Sequence, residues 1–179
     1  MRVIKRILLG LLILFLLALT GLAGFIVCEI DGLQSFSEII ESGDFSHMRL
    51  TIYIAYSDFS IQMPANPDIF KNYDYKITID DSNLELYKDS INQLITEPLI
   101  PYEQKTRLDC HIYYVFETPI HRKLYEVALW GSGGSIYVNG IAVKEADIYY
   151  DIILPFLPQD EADYFKALIS EIKQETSQN

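Results

Sequence analysis

The feature that most constrains this chain is an uncharged run of 22 residues from Ile7 to Cys28. As a helix rising about 1.5 Å per residue it would be about 33 Å long, close to the ~30 Å hydrocarbon core of a bilayer. Three basic residues precede the run and acidic residues follow it from Glu29, so the positive-inside tendency places the N-terminus in the cytosol. We therefore predict a membrane anchor over residues 1–28, inserted through residues 7–28. The protein would cross the cell membrane once, with its C-terminal domain extracytoplasmic.

A cleaved signal peptide is the alternative for this segment, and it would make the protein secreted. The small residues from Thr20 to Gly24 offer a place for cleavage. The apolar run continues through Val27, which is longer than a signal peptide needs and favours an uncleaved anchor. Lipidation at Cys28 is not expected, because Val27 stands where a lipoprotein signal requires a small residue.

The chain beyond the anchor is acidic. All 25 acidic residues follow Cys28 but only 11 of the 14 basic ones do, which gives this part a net charge of −14. Nucleic-acid backbones reward lysine and arginine, so we expect no nucleic-acid partner. A protein, a peptide or a cell-wall component stays open as a partner.

Two hydrophobic periods divide the remaining residues. Alternation of apolar and polar residues predicts strands, and Asn139-Gly140 is typical of a two-residue hairpin turn. Capping-box spacing at Ser35 and Glu38 and again at Ser82 and Glu85 predicts two helix starts, and a last helix begins at Gln159. The predicted strands are Met48–Tyr56, with a possible hairpin continuation to Met63, then Tyr73–Asp80, Arg107–Glu117, Leu124–Trp130 and Ser135–Val138.

These elements predict the α+β class: an N-terminal transmembrane helix, then one domain with a mainly antiparallel sheet of 5–6 strands packed by 2–3 helices. We assign residues 29–47 to a juxtamembrane connector with a short helix. Residues 48–175 form the extracytoplasmic domain, and residues 176–179 form a frayed tail.

Catalytic and metal-binding patterns are absent from the sequence. The three histidines, His47, His111 and His121, have no zinc-type spacing, and we expect no cofactor. Two pairs of polar residues are candidates for a site. Asp109 and His111 share one face of a strand, and Asp147 and Asp151 lie one helical turn apart. Such pairs of polar residues are more commonly exposed to solvent without a functional role.

Aromatic residues are the least ordinary feature of the domain. Tyrosine and tryptophan at a surface favour contact with peptides or glycans, although core packing accounts for many of them. The candidates for partner contact are Tyr113, Trp130, Tyr137, Tyr149 and Tyr150.

The order of elements resembles small membrane-anchored or lipoprotein-type proteins of low-GC Gram-positive bacteria. The resemblance covers about residues 73–153. It is carried by Asp80-Asp81-Ser82 leading into Leu84–Ile95, then by Cys110–Phe116 and Ser135–Val143. Since those proteins have no assigned function, the resemblance implies a location and no catalytic residue.

The leading hypothesis is therefore a single-pass, membrane-anchored extracytoplasmic binding or interaction module without a catalytic site. One alternative is a hydrolase-type surface enzyme that uses carboxylates or His111. Another is an accessory subunit of a membrane complex that is held through the transmembrane helix.

Overall fold

A computed structural model of the chain describes Phe15 and residues 32–54, 75–102, 110–130 and 135–176. Helices and strands alternate in blocks along these ranges. In chain order the elements are α1 (32–42), a 3-10 turn (Phe45–His47), β1 (Arg49–Ile54), β2 (Lys76–Ile79), α2 (Asp81–Glu85), α3 (Lys88–Thr96), β3 (Cys110–Glu117), β4 (Lys123–Trp130), β5 (Ser135–Val138), β6 (Ile141–Lys144), α4 (Ile148–Asp151), a second 3-10 turn (Leu154–Phe156) and α5 (Gln159–Thr176).

The six strands form one antiparallel sheet in the order β2-β1-β3-β4-β5-β6. This confirms the predicted α+β class and the mainly antiparallel sheet. β1 lies between β2 and β3, since Ile52 pairs with Ile77 of β2 on one side and with Tyr114 of β3 on the other. Residues 100–102 add a short edge to β6, where the Tyr102 amide donates to the Ala142 carbonyl at 3.1 Å.

One face of the sheet forms the hydrophobic core. The alternation that predicted the strands decides which side chains lie there, since successive residues of a strand point to opposite faces. Leu50, Ile52 and Ile54 of β1 lie on this face with Ile112, Tyr114 and other residues of the neighbouring strands, and all of them are buried. The described helices pack against this same face, through residues such as Phe36 and Ile40 of α1, Ile91 and Leu94 of α3, Tyr149 of α4 and Phe165 of α5.

α1 is part of the core rather than a separate connector. The Phe36 ring stacks on the Tyr125 ring at a centroid distance of 4.9 Å and lies 5.1 Å from the Phe116 ring. The predicted capping box at Ser35 is wrong, because residues 32–34 are already helical and the Glu38 carboxylate accepts from Gln34 instead. Gly43 ends the helix, with a positive φ of 71° that glycine adopts without strain.

The predicted helix from Leu84 to Ile95 is divided into α2 and α3 at Leu86 and Tyr87. Leu84, Ile91 and Leu94 of this segment are buried in the core, and Tyr87 and Ile95 pack against it while partly exposed. The second predicted capping box is wrong: Asp80 occupies the N-cap position, and Ser82 lies inside the helix with its amide donating to the Asp81 carboxylate at 2.8 Å.

Several sequence predictions fall outside the described residues. They are the strand continuation at Phe59–Met63, the loop at 131–134, Asp109, and the anchor except for Phe15. Within the described ranges, no helix combines the length and apolar content that a membrane crossing requires. The Asn139-Gly140 hairpin is confirmed, because Asn139 and Gly140 both have positive φ between β5 and β6.

Three buried tyrosines give a matched test of this core. The Tyr114 hydroxyl donates to the Tyr149 carbonyl at 3.0 Å. The hydroxyls of Tyr125 and Tyr149 neighbour each other, but neither has a partner in good hydrogen-bond geometry among the described residues. Tyr114→Phe should therefore lower the free energy of unfolding by about 1 kcal/mol, and Tyr125→Phe should leave it unchanged or raise it. Urea unfolding of the two variants measures the difference, and equal losses would contradict the described hydrogen bonds.

Candidate functional site

The second face of the sheet carries tyrosines and paired charges. Tyr53, Tyr113, Ala128 and Tyr137 are in register on four neighbouring strands, so they form one row across this face. The Tyr53 and Tyr113 rings stack at 5.7 Å, which is a favourable cross-strand pair. Tyr53 and Tyr113 are buried and Tyr137 is half-buried.

Glu117 is the centre of the first charged cluster on this face. Arg49 Nε donates to Glu117 Oε1 at 3.0 Å, and Thr51 Oγ1 donates to the same oxygen at 3.0 Å. The other oxygen, Oε2, lies 3.2 Å from Nδ1 of His121, whose ring also contacts Arg49. Because a buried carboxylate needs partners for its lone pairs, the register of Arg49 opposite Glu117 explains why this residue is tolerated in the sheet.

Glu126 is the centre of the second charged cluster, on β4. Its carboxylate accepts from the Tyr113 hydroxyl at 2.7 Å and from Lys123 Nζ at 3.1 Å. Burial raises the pKa of Tyr113 far above its usual range, and the negative charge of Glu126 raises it further. The Tyr113 hydroxyl therefore stays protonated and acts as a donor, and it is not a base.

The turn between β3 and β4 adjoins the Glu117 cluster. Its residues are Thr118–Arg122, and the His121 amide closes the turn on the Thr118 carbonyl at 2.8 Å. His121 has a φ of 65°, a left-handed conformation that is uncommon for a residue with a Cβ. Thr118 holds the turn a second time, since its hydroxyl accepts from the Arg122 amide at 3.1 Å. Ile120, at the tip, is 84% exposed.

An open groove of about 350 Å³ lies between this turn and α1. Glu38 and Asp44 supply negative charge at its wall, and Arg122 supplies positive charge. The remaining lining consists of hydroxyl, imidazole and aliphatic side chains: Ser35, Ile39, Ser42, His47, Thr118 and Leu124. The volume lies near the lower end of the range for small-ligand sites, so the groove suits a short polar segment with charges of both signs.

Asp44 is fixed in this groove by the 3-10 turn that follows it. Its carboxylate accepts from the Ser46 hydroxyl and from the Ser46 amide at 3.0 Å. These two hydrogen bonds hold the pKa of Asp44 below its usual value, with a smaller effect from His47. Asp44 is consequently a fixed negative charge at neutral pH.

The structure separates the predicted aromatic candidates. Tyr149 and Tyr150 are buried in the core on the helical face, so they are not surface contacts. Burial raises the pKa of Tyr149 to about 12. Tyr113 and Tyr137 lie on the second face of the sheet. Tyr113 is buried there, so it is not a surface contact either, whereas Tyr137 is half-buried. The side chain of Trp130 lies outside the described part of the molecule.

Of the predicted polar candidates, Asp147 and Asp151 have described side chains, and they lie one helical turn apart as their spacing predicts. Asp147 and Asp151 are exposed at the two ends of α4. The Tyr150 hydroxyl donates to Glu145 at 2.6 Å, which ties this carboxylate to the core. The side chain of His111 and the whole of Asp109 lie outside the described residues. Among the residues that are described, no group of three histidine, cysteine, aspartate or glutamate side chains is arranged to hold a metal ion.

Sequence reasoning missed Glu117, Glu126 and the residues that pair with them. A signal was present for one pair: Arg49 and Glu117 stand near the ends of predicted strands, where opposite charges on adjacent strands pair. Lys123 and Glu126 pair within β4 instead. The pairing partner could not be chosen, because the order of the strands was unknown. The groove joins residues from three separate segments and left no pattern in any one of them.

No family model matches the chain, and comparisons with curated proteins and with solved structures likewise give no match. The geometry of the α+β domain and of the groove is therefore the basis for assigning a function.

Proposed function

We propose that this protein is a single-pass, membrane-anchored extracytoplasmic module that binds a partner in the groove between α1 and the β3–β4 turn. The observation that carries the proposal is the groove itself. It is open, it has charges of both signs, and Glu38, Asp44 and Arg122 line it. The proposed occupant is a short polar segment of a neighbouring protein.

The state of the buried carboxylates supports binding over hydrolysis. A carboxylate that acts as an acid or a base must reach a substrate. Glu117 accepts hydrogen bonds from Arg49 and Thr51, and Glu126 accepts from Tyr113 and Lys123. Both are engaged within the sheet, so no observation on the described residues favours the hydrolase alternative.

The membrane anchoring rests on the sequence. The uncharged run of 22 residues is long enough to cross a bilayer, and the charges around it favour a cytosolic N-terminus. Extraction of host membranes with alkaline carbonate tests this part of the proposal. Retention of the full-length chain in the membrane pellet is the expected result, and release of a chain shortened near Gly24 would establish the signal-peptide alternative.

Photo-crosslinking in host membranes tests the groove. A photoreactive amino acid at Ser42 should capture a discrete partner, and the same residue at Glu85, which is exposed on α2, should not. Arg122→Glu reverses the positive charge of the groove and should reduce capture from position 42 by about tenfold, the effect of losing roughly 1.4 kcal/mol of binding. Equal capture from positions 42 and 85 would refute the groove as the binding site. So would capture from position 42 that Arg122→Glu leaves unchanged.

A further inference from the structure

Ile120 is the most exposed large apolar side chain of the described residues, at 84%. It stands at the tip of the β3–β4 turn, between Pro119 and the basic sequence His121-Arg122-Lys123. The turn is held rigidly by the two hydrogen bonds of Thr118 and by the left-handed His121. Because the turn holds Ile120 away from the core, its side chain can be buried only against an apolar partner outside the domain.

The base of this turn packs against the start of α1. A Cβ placed on Gly32 would lie 3.0 Å from the Lys123 carbonyl oxygen and 3.6 Å from that of Leu124. A Cβ at this distance would be tighter than most real Cβ contacts, so glycine favours the close approach of the two backbones. The contact therefore fixes the position of the β3–β4 turn relative to Gly32.

The length of chain between Gly32 and the uncharged run limits how far the turn can be from a bilayer. The run ends at Cys28, four residues before Gly32, and four residues span at most about 14 Å when fully extended. Ile120 is three residues from Lys123 and can extend about 10 Å beyond it. The tip of the turn is thus within reach of the membrane surface.

We propose that the β3–β4 turn rests on the outer surface of the membrane, with Ile120 inserted at the boundary between lipid headgroups and acyl chains. This proposal rests on the proposed membrane anchoring. The partner that covers the exposed tip of the turn is lipid. Arg122 follows Ile120 by two residues and places one positive charge near the level of the lipid phosphates, whereas Lys123 is paired with Glu126. Glu38 and Asp44 line the groove on the α1 side of the turn. Their negative charges weaken the attraction of the turn to strongly anionic membranes.

Ile141 provides a matched control. It is 54% exposed and, like Ile120, is an isoleucine beside a hairpin turn. Ile141 pairs with Val138, which pairs with Val127, four residues beyond Lys123 on β4. At about 3.3 Å per residue it lies about 13 Å further along the strands from the end of the sheet that contacts Gly32.

Quenching by labelled lipid tests the contact in the full-length chain. A fluorescent amino acid is incorporated genetically at one position at a time: Ile120, Ile141 or Phe15. The protein is reconstituted alone into vesicles of phosphatidylcholine and phosphatidylglycerol that carry a nitroxide on the acyl chain. The nitroxide is near the headgroup for positions 120 and 141 and near the chain end for position 15, which lies about 12 Å inside the uncharged run. The labelled positions are all exposed, so the core is unchanged and circular dichroism verifies the fold.

We expect fluorescence at position 120 to be quenched about twofold more strongly than fluorescence at position 141. Ile141 lies ~13 Å along the strands from the end of the sheet that carries the β3–β4 turn, and this distance exceeds the ~5–10 Å depth of interfacial insertion. Strong quenching at position 15 with equal quenching at positions 120 and 141 would overturn the lipid contact and leave the anchoring intact. Absence of quenching at position 15 would overturn the anchoring and the lipid contact together. A protein partner at the tip would give no quenching at position 120 in these vesicles, which also counts against the proposal.

Discussion

Replacement of Phe36 by alanine should lower the free energy of unfolding by about 3–5 kcal/mol, the usual cost of truncating a buried phenylalanine. Phe36 is fully buried, and its ring packs between those of Tyr125 and Phe116. The substitution leaves a cavity between α1 and the sheet that the two remaining rings cannot fill. Urea unfolding followed by the fluorescence of Trp130, the only tryptophan of the chain, measures the loss.

Glu41→Ala is the control for this prediction. Glu41 is exposed on the same helix, so its replacement should change the free energy of unfolding by less than about 0.5 kcal/mol. A similar small effect of Phe36→Ala would mean that α1 does not belong to the core of the domain. The comparison therefore tests whether the segment after the predicted anchor is a flexible connector or a docked helix.

Replacement of Glu117 by alanine should lower the free energy of unfolding by about 2–3 kcal/mol. Most of this loss comes from the partners, because Arg49 and Thr51 lose their acceptor on a buried face of the sheet. Glu117→Gln retains an oxygen at the Oε1 position while it removes the charge, so we expect a loss of about 1 kcal/mol. Thermal or urea unfolding of both variants measures these effects.

Glu85 again supplies a control, as an exposed glutamate in a helix. Glu85→Ala should be nearly neutral. If Glu117→Ala were equally neutral, the cluster of Arg49, Thr51 and Glu117 would have no role in holding β1 against β3. A double-mutant cycle with Arg49→Met isolates the pairwise part of the effect.

Much of the sheet could be predicted because its strands have one apolar face. Leu50, Ile52 and Ile54 share the core face as their alternation predicts, although Thr51 and Tyr53 on the other face are buried as well. The Asn139-Gly140 turn has the positive φ angles expected of it. Period-two patterns identify strands by their local sequence. They do not identify neighbours, so the insertion of β1 between β2 and β3 was not predictable.

The helix starts were predicted less well, for a physical reason. Capping-box spacing at Ser35 and Ser82 is a local pattern, but both serines lie inside helices that began earlier. In α1 the burial of Phe36 and Ile40 stabilises the helix through tertiary contacts, which override the weak preference of one side chain for a cap.

The candidate site lies beyond what local patterns encode. The groove combines residues of α1, the first 3-10 turn and the β3–β4 turn, and each contributes one or a few polar side chains. The sequence predicted Tyr149 and Tyr150 as candidates for partner contact, but both are buried in the core. Composition indicates that aromatic residues are abundant, and only the three-dimensional structure decides which of them are accessible.

The docking of α1 has a mechanical consequence for a chain held at its N-terminal side. A pulling force would enter the domain at Gly32 and act on α1 before it reached any strand. α1 lies against the face of the sheet through Phe36 and Ile40 and forms none of its ladder hydrogen bonds. Under tension α1 would therefore detach first, while the antiparallel pairing of β3 with β4 stayed intact.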